Sequence, residues 1–323
     1  MNKPKLCLVC TTGGHFEQMT NLSEFYSRFD HFWITNRNRQ TESQLAGETV
    51  YYINSAHYKK PWGYLQQLPC VAKAISEQKP THFISTGSGR TALIPFLAAK
   101  ITGKNFSHID TFSRVYGYSK FGTFLLKLGH PVLSQWEDGQ NERVTYIGPI
   151  FKTYERKAPK PKLGHIFVTV GTRSEPFTRL IQSVEDLVRK GVIQNRVIVQ
   201  AGHTSYRSDH LEIFDFCSQD EIDSLIDGAD FVITQESAGI GNKCLKLETP
   251  FLVMPREYRY RELPSKSDMN EDLHWKLQNL GYTKVVTNRL ELESAIRQLN
   301  DIKTGFVFDN SRAVRTLLRI MGR

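Results

Sequence analysis

Short apolar segments alternate with helix-forming patterns along this chain, and this alternation limits the possible folds more than any other feature. The first half holds seven segments typical of buried strands: Lys5–Cys10, His31–Ile34, Val50–Ile53, His82–Thr86, Asn105–Ile109, Val132–Ser134 and Thr145–Ile147. The second half holds six more: His165–Val170, Arg196–Gln200, Glu212–Phe216, Phe231–Thr234, Phe251–Met254 and Lys284–Val286. Strand–helix alternation of this kind predicts parallel sheets covered by helices on both faces.

A segment of lysines and prolines, residues 157–162 (KAPKPK), separates the two series. Two prolines among lysines, without large apolar residues, are typical of a solvated linker. We therefore predict an α/β protein with two doubly wound, Rossmann-like domains, 1–156 and 163–323, facing across a cleft. The last helix is expected to pack back on the first domain. In such sheets ligands bind beyond the carboxyl ends of the strands.

Composition is that of a globular protein, with 323 residues, 40% hydrophobic and 23% charged. No apolar run approaches the roughly 20 residues that span a bilayer, and the first residues lack the features of a signal peptide. We therefore expect a cytoplasmic protein.

Cys7 and Cys10 have the spacing of a redox or zinc pair, but they lie on a predicted buried strand, which favours a packing role.

The positive charge is concentrated in the first half of the chain. Residues 1–155 carry 17 lysines and arginines against 11 aspartates and glutamates, whereas residues 163–323 carry 21 against 22. A basic surface attracts an anionic membrane or lipid phosphates; a solvated surface without a partner is the alternative. No nucleic-acid-binding signature is present, so nucleic acid is not an expected partner.

Two apolar segments lie beside lysines and predict helices at a membrane interface. The first has Trp62, Tyr64, Leu65 and Leu68 near Lys59 and Lys60, and the second has Phe121, Phe124, Leu125 and Leu128 near Lys120 and Lys127. Apolar residues rimmed by lysine suit peripheral contact with the inner face of a cell membrane. A face buried in the core would show the same pattern.

Three polar loops follow predicted strands of the first half. They contribute the candidate residues Gly13, Gly14 and His15, then Thr86, Gly87, Ser88 and Arg90, then Asp110 and Arg114. Paired glycines let the backbone approach a ligand closely, and a helix N-terminus beyond them favours a phosphate. His15 is a candidate general base, and Asp110 is the second candidate. Plain strand–helix turns, with Asp110 as a helix N-cap, are the alternative.

Three loops of the second half have a similar character and indicate a site for a nucleotide diphosphate. Their candidate residues are Gly171, Thr172 and Arg173, then Gly202 and His203, then Gln235, Glu236, Ser237, Ala238 and Gly239. Arg256, Arg259 and Arg261 alternate after another strand. On an extended loop they would point to one side and bind a phosphate or carboxylate, with Arg256 nearest the strand end. A solvated basic loop is the alternative.

These loops, in this order, resemble a family of glycosyltransferases. The first half is similar to the membrane-bound subunit of the two-subunit UDP-GlcNAc transferase that extends dolichol-diphosphate-GlcNAc, and to its PssD/PssE-like exopolysaccharide counterpart. The residues that carry this resemblance are Gly13–His15, Ile84–Gly87, Ile109–Val115 and Gln135–Glu137. The second half resembles the catalytic subunit, through Phe167–Thr172, Pro176–Phe177, Ile198–His203, Ala229–Thr234 and Pro250–Pro255. The chain thus resembles a fusion of both subunits, laid out like the MurG type.

The resemblance implies a GT-B fold, inverting chemistry without a metal or other cofactor, and a UDP-sugar donor. It also implies a polyprenyl-diphosphate-linked acceptor bound by the first domain and a donor bound by the second. The chain departs from the family at Gln235 and Ser237, and Lys243 stands where the family's ribose-binding Glu is expected. Lysine only donates hydrogen bonds, so Glu236 or Glu262 is the candidate for that role.

We predict a hexosyl- or glucuronosyltransferase of surface polysaccharide assembly. The arginine-rich loop would fit a glucuronate donor. A sugar-nucleotide epimerase on the same fold, and a non-catalytic partner that binds a sugar nucleotide, are the alternatives.

Overall fold

The computed structural model describes residues 4–56, 62–137, 141–151, 164–265 and 272–322. The chain divides into two compact units. The first unit comprises Met1–Thr153 with Phe308–Arg323, and the second comprises Tyr154–Val307. The predicted linker at 157–162, together with Lys59 and Lys60, lies outside the described residues.

The first unit is built on a sheet of seven parallel strands in the order β3-β2-β1-β4-β5-β6-β7. The strands are β1 (Lys5–Val9), β2 (Asp30–Thr35), β3 (Val50–Tyr52), β4 (His82–Ser85), β5 (Asn105–Ile109), β6 (Val132–Ser134) and β7 (Val144–Tyr146). The helices between them are α1 (Gly14–Thr20), α2 (Ser23–Tyr26), α3 (Arg39–Gln44), α4 (Trp62–Leu65), α5 (Leu68–Gln78), α6 (Gly89–Ile101) and α7 (Lys120–Lys127).

The side chains of β1 show that this sheet is covered on both faces. Leu6 and Leu8 belong to one buried cluster, and Cys7 and Val9 belong to another. Because neighbouring residues of a strand point to opposite faces, Cys7 and Cys10 lie on opposite sides of the sheet. Burial raises the pKa of Cys7 well above its usual value and that of Cys10 to about 12. Both thiols therefore pack the core.

The second unit has a sheet of six parallel strands in the order β10-β9-β8-β11-β12-β13. The strands are β8 (His165–Thr169), β9 (Arg196–Gln200), β10 (Glu212–Phe214), β11 (Ala229–Thr234), β12 (Phe251–Val253) and β13 (Lys284–Val285). The helices of this unit are α8 (Thr178–Arg189), α9 (Gln219–Gly228), α10 (Ala238–Lys246), α11 (Asp272–Asn279) and α12 (Arg289–Arg297).

The last helix, α13 (Ser311–Ile320), belongs to the first unit. Its buried face packs into the cluster that contains Leu6 and Leu8. At its start, the Asn310 side chain donates a hydrogen bond of 2.6 Å to the backbone carbonyl of Asn21. The chain thus returns to its first unit after completing the second.

The predicted fold class is confirmed. Each of the thirteen predicted strands is present, with ends within two residues of those expected. Several strands end one or two residues earlier than predicted, because the residues expected at their ends already belong to the loops. Thr86 is such a residue: it follows β4, and its hydroxyl donates a hydrogen bond to the backbone carbonyl of His15 at the start of α1.

Candidate active site

In both units the order of strands reverses direction at one point, and the candidate loops lie there. Each sheet begins in the middle, runs to one edge, and then continues from the middle to the other edge. The reversal falls between β1 and β4 in the first unit and between β8 and β11 in the second. Ligands of doubly wound sheets bind at such switch points, beyond the carboxyl ends of the strands. The loops that carry His15, Gly87, Gly171 and Gln235 follow these four strands.

The two loops at the first switch point are in direct contact. The Thr86 hydroxyl donates a hydrogen bond of 2.8 Å to the backbone carbonyl of His15. A Cβ added to Gly87 would lie 3.1 Å from Cys10 Cα, so only glycine allows this approach without a shift. Gly13 has a φ of +75° immediately before α1. These contacts fix the position of His15.

His15 is a partly exposed histidine in the first turn of α1. Its Nδ1 is buried and has no hydrogen-bond partner among the described residues. Burial lowers the pKa of the imidazole below its usual value, and the backbone of Thr86 offsets only part of this effect. The ring is therefore neutral at neutral pH and can accept a proton.

Asp110 follows β5 and is 4% exposed. One carboxylate oxygen accepts the amide of Thr111 at 2.9 Å, and the other accepts the amide of Ser119 at 2.8 Å. His108 Nε2 lies 3.8 Å from Asp110 Oδ1. Burial alone would raise the pKa of Asp110, but His108 and the hydrogen bonds from Ser119 outweigh it, and the pKa lies below its usual value. The carboxylate is therefore ionised and held in place.

Ser119 itself caps α7, because its hydroxyl accepts the amide of Gly122 at 3.0 Å. Asp110 binds the amide of that capping residue, so it fixes the loop before the helix. The charge of Asp110 acts on His15 in the direction that raises the pKa of His15. Asp110 thus favours a protonated His15, whereas the nearby His108 acts on the pKa of His15 in the opposite direction.

The remaining candidates of the first unit lie at the same edge of the sheet. Ser88 precedes α6, and its side chain makes no capping bond to that helix. Arg90 is exposed in the first turn of α6, and Arg114 is half-buried in the loop after β5. Gly14 begins α1 and is exposed.

Three residues outside the predicted set support this edge. Gln135 Nε2 donates to the Asp110 carbonyl at 2.8 Å and to Gln18 Oε1 at 2.7 Å. His108 is 1% exposed, and neither of its ring nitrogens has a hydrogen-bond partner among the described residues. The sequence contained an indication of His108: residues two apart on a strand share a face, and His108 precedes the candidate Asp110 by two positions. Gln18 gave no comparable signal.

Two glycines and a glutamine pack tightly in the loops of the second unit. Gly171 has a φ of +75° and Gly202 a φ of +56°. A Cβ on Gly171 would overlap the Gln235 side-chain amide, and a Cβ on Gly202 would overlap the Gly171 carbonyl oxygen. The three loops therefore depend on one another for their shape.

Arg256 holds these loops together from inside the protein. It is 1% exposed, and its guanidinium donates to Gln235 Oε1 and to the carbonyls of Val170, Glu175 and Glu262. The guanidinium carbon Cζ lies 4.8 Å from the centroid of the Phe177 ring. The guanidinium thus uses its donors on the protein itself.

The expected extended arginine loop is wrong. Residues Tyr258–Tyr260 form a 3-10 turn, and Arg261 after it has a φ of +60°. Arg259 pairs with Glu257. The alternating arginines therefore do not point to one side, because local hydrogen bonding curls the segment.

A second internal arginine, Arg179 of α8, fixes the other end of the same segment. Its guanidinium forms two hydrogen bonds of 2.9 Å to Glu262 and also donates to the carbonyls of Pro255 and Thr287. Glu262 is 3% exposed and is occupied by Arg179. It does not offer a free carboxylate for a ribose. No sequence pattern indicated this pair, whose two residues lie 83 positions apart in the chain.

Other candidates of the second unit are accessible to a ligand. Thr172, Arg173, His203 and Gly239 are exposed. Arg173 has no hydrogen bond or ion pair within the described part of the chain. Ser237 caps α10 by accepting the Ile240 amide at 3.4 Å, and Ala238 is the first residue of that helix.

Glu236 is a partly exposed carboxylate in this group. One of its oxygens accepts the backbone amide of Arg256 at 2.8 Å. Burial raises its pKa, and Arg256 and Arg173 offset this in part. Lys243, on α10, forms an ion pair with Asp223 of α9. Of the two candidates for binding the ribose, Glu236 and Glu262, only Glu236 has a carboxylate that a ligand can reach.

His274 lies beneath α10 and is 2% exposed. A Cβ added to Gly241 would lie 3.5 Å from His274 Nε2. Burial lowers the pKa of His274 to about 4, so the ring is neutral and supports α10 by packing.

Neither a metal cluster nor a membrane-spanning helix is found in the described ranges. No group of three histidines, cysteines or acids there is placed to hold a metal ion. None of the helices described is long and apolar enough to cross a bilayer. Metal independence stays a prediction.

No protein-family model matches the chain, and no curated protein matches it. Solved structures do resemble it. The UDP-GlcNAc 2-epimerase from Methanocaldococcus jannaschii matches with a TM-score of 0.68 at 13% identity, covering 98% of this chain and 99% of that one. S. aureus MnaA, solved with UDP, matches with a TM-score of 0.66 at 14% identity, covering 98% of this chain and 96% of that one. MurG from Acinetobacter baumannii matches at 0.61 and 14% identity over 98% and 100%. At these identities the likeness shows the fold, which is that of GT-B proteins.

Proposed function

We propose that this chain is an inverting glycosyltransferase that moves a sugar from a UDP-linked donor to a polyprenyl-diphosphate-linked acceptor in surface polysaccharide assembly. The observation that carries the proposal is that a neutral, partly exposed His15 at the switch point of the first sheet and an ionised, immobilised Asp110 after β5 lie at the same edge of that sheet, where the charge of Asp110 favours a protonated His15. A base and a fixed counter-charge at that position suit the deprotonation of an acceptor hydroxyl.

In the proposed reaction the acceptor hydroxyl gives its proton to His15. Its oxygen bonds to the anomeric carbon of the donor sugar as the bond between that carbon and the diphosphate breaks. The nucleoside diphosphate leaves with the bonding electrons, and attack from the opposite side inverts the configuration. Asp110 stabilises the imidazolium that forms. Gly13, Gly14, Thr86, Gly87 and Ser88 supply the loops that hold the acceptor, with Arg90 and Arg114 for its phosphates.

The donor is proposed to bind the loops of the second unit. The N-terminus of α10 and the exposed Arg173 would hold the diphosphate, and Glu236 would accept hydrogen bonds from the ribose. The fold neighbour that was solved with UDP supports a uridine nucleotide. A glucuronate donor would need an accessible cation for its carboxylate. Arg173 meets that requirement and the buried Arg256 does not.

Peripheral membrane contact is part of the proposal, and the burial of the predicted residues limits which of them are available for it. Trp62 is 73% exposed, Leu65 51% and Leu128 58%. Phe121 and Leu125 of the second predicted segment are buried in the core instead, because one side of α7 packs against the sheet. The exposed apolar residues of α4 and α7 would enter the interface of an anionic membrane.

A sugar-nucleotide epimerase is the second candidate, because UDP-GlcNAc 2-epimerases match the fold with TM-scores of 0.68 and 0.67. An epimerase converts the nucleotide sugar without an acceptor. Nuclear magnetic resonance of a UDP-sugar after incubation with the protein alone separates the two functions. A second isomer would support the epimerase, and an unchanged sugar would favour the transferase.

A thermal-shift screen of nucleotide sugars tests the donor half of the proposal. A ligand at 100 times its dissociation constant adds about 2.7 kcal/mol of stability to the folded protein. We expect stabilisation by at least one UDP-sugar. Binding of a UDP-sugar without turnover on any polyprenyl-diphosphate acceptor would instead indicate a non-catalytic partner, consistent with the altered residues Gln235 and Lys243.

A further inference from the structure

A polar pocket in the first unit lies at the carboxyl ends of β5 and β6, and its volume is about 490 Å³. It is lined by Tyr116 and Tyr118, which follow β5, and by Trp136, Glu137 and Asn141, which follow β6. Its volume falls in the range of small-molecule sites. Trp136 and Glu137 belong to a motif that the assignment of His15 and Asp110 leaves unexplained.

Trp136 is held rigidly in this pocket. Its indole Nε1 donates to the Phe112 carbonyl at 2.7 Å, and its ring stacks on Phe112 with centroids 4.6 Å apart. Its backbone amide donates to the Ser134 hydroxyl at 3.1 Å, and that hydroxyl donates to the Trp136 carbonyl at 2.7 Å. A fixed aromatic ring with one face covered is suited to receive a flat apolar surface.

The facing loop presents Tyr116, whose side chain is 59% exposed. It has no hydrogen bond or ring contact within the described residues. Gly117 beside it has a φ of +78°, a conformation that allows the turn between the two tyrosines. An exposed tyrosine without a partner, aimed by a tight turn, is a typical recognition residue.

The charge of the lining selects the ligand class. Among the described residues that line the pocket, Glu137 is the one charged residue, and none of them is a lysine or arginine. A nucleotide, a diphosphate or a uronic acid would place an anion beside this carboxylate, which costs free energy. A neutral sugar places apolar C–H groups on the aromatic rings and hydroxyl donors on the carboxylate.

We propose that this pocket binds a neutral hexopyranose. Resting on the proposed function, we assign this ring to the sugar of the lipid-linked acceptor. The pocket is joined to the catalytic edge through the Gln135 side chain, which donates to the Asp110 carbonyl at 2.8 Å. Gln135 directly precedes Trp136, so the sugar platform and the candidate catalytic carboxylate share one hydrogen-bonded support.

The test is a titration of the protein with methyl glucoside, methyl N-acetylglucosaminide and methyl glucuronide, followed by saturation-transfer difference NMR. We expect the neutral glycosides to bind more tightly than the glucuronide. Tyr116→Ala should weaken neutral binding by about threefold or more, whereas Tyr116→Phe should retain it. Glu137→Gln should narrow the difference between neutral and charged glycosides. Tyr258→Ala, which removes an exposed tyrosine of the second unit, is the matched control and should leave glycoside binding unchanged.

The inference is overturned if no neutral glycoside binds, if the glucuronide binds more tightly, or if Tyr116→Ala binds as the wild type does. Transfer assays separate this failure from failure of the proposed function. If the protein transfers sugar and Tyr116→Ala leaves the KM for the acceptor unchanged, the sugar-site proposal is rejected and the transferase proposal stands. If glycoside binding depends on Tyr116 but the protein has no transfer activity, the sugar-site proposal stands and the transferase proposal is rejected.

Discussion

His15 and Asp110 differ in how their polar atoms are satisfied, and this difference favours separate roles for them in the proposed reaction. The Asp110 carboxylate accepts two backbone amides and is 4% exposed, so it is poorly placed to take a proton from a substrate. The His15 ring is partly exposed, and its pKa is lowered by burial. We therefore propose His15 as the base and Asp110 as the residue that stabilises its charge.

Replacing His15 tests the base directly. His15→Ala should lower kcat by about 10²–10⁴-fold with little change in donor affinity, because the proton acceptor is lost while the donor loops are intact. Steady-state kinetics and donor calorimetry measure the two effects. His82→Ala, at the opposite end of β4, is the control and should retain activity. A loss of less than tenfold in His15→Ala would contradict the assignment.

The pH profile tests the coupling between the two residues. A base must be neutral, so activity should fall as the pH drops through the pKa of His15, which lies below its usual 6.5. The negative charge of Asp110 favours the protonated imidazole. Asp110→Asn should therefore lower the pKa of His15 further and shift the acid limb of kcat/KM to lower pH. An acid limb that stays in place or moves to higher pH would show that the charge does not act on the base.

Arg173 and Arg256 should behave differently when each is replaced by alanine. Arg173→Ala removes an exposed cation, so donor affinity should fall about tenfold while Tm stays unchanged. Arg256→Ala leaves the carbonyls of Val170, Glu175 and Glu262 without their buried donor, so Tm should fall as well. Thermal melts and calorimetry distinguish them, with the exposed Arg259→Ala as a control. An unchanged Tm in Arg256→Ala would refute its internal role.

At the scale of elements, strands and loops differed in how far the sequence could predict them. Buried strands are encoded locally by short apolar runs, which is why all thirteen were expected from composition and spacing. The environment of Arg256 is not local, because its carbonyl partners lie as far as 86 residues away. The alternating arginines occur in the sequence in the same way whether the segment is an extended loop or a 3-10 turn, so the pattern does not distinguish the two conformations. The loop positions were therefore predictable, and the contacts inside them were not.

Gly202 tests whether the three donor loops form one unit. Alanine at this position would overlap the Gly171 carbonyl, a backbone atom that cannot move aside without displacing its loop. Gly202→Ala should weaken UDP-sugar binding about tenfold or more. Gly191→Ala is a matched control, since Gly191 also has a positive φ, of +70°, but has open space around it. Equal effects on binding in both variants would show that backbone strain, and not loop packing, is responsible.

At the scale of the whole molecule, charge and exposed apolar residues predict a peripheral membrane protein. The protein should co-sediment with anionic liposomes at low salt and dissociate as salt screens the attraction. Trp62→Ala combined with Leu65→Ala should weaken this binding, because both side chains are more than half exposed. Replacing Leu290, which is 68% exposed on the second unit, is the control. Equal binding to neutral and anionic liposomes would contradict the role of charge.

The most direct test of the transferase is the fate of the sugar when a UDP-sugar is incubated with and without a polyprenyl-diphosphate-linked sugar, followed by mass spectrometry. The account predicts that the lipid gains one sugar and UDP is released only when both substrates and His15 are present. Conversion of the UDP-sugar to an isomer without acceptor, or an unmodified lipid across the UDP-sugars that stabilise the protein, would contradict it.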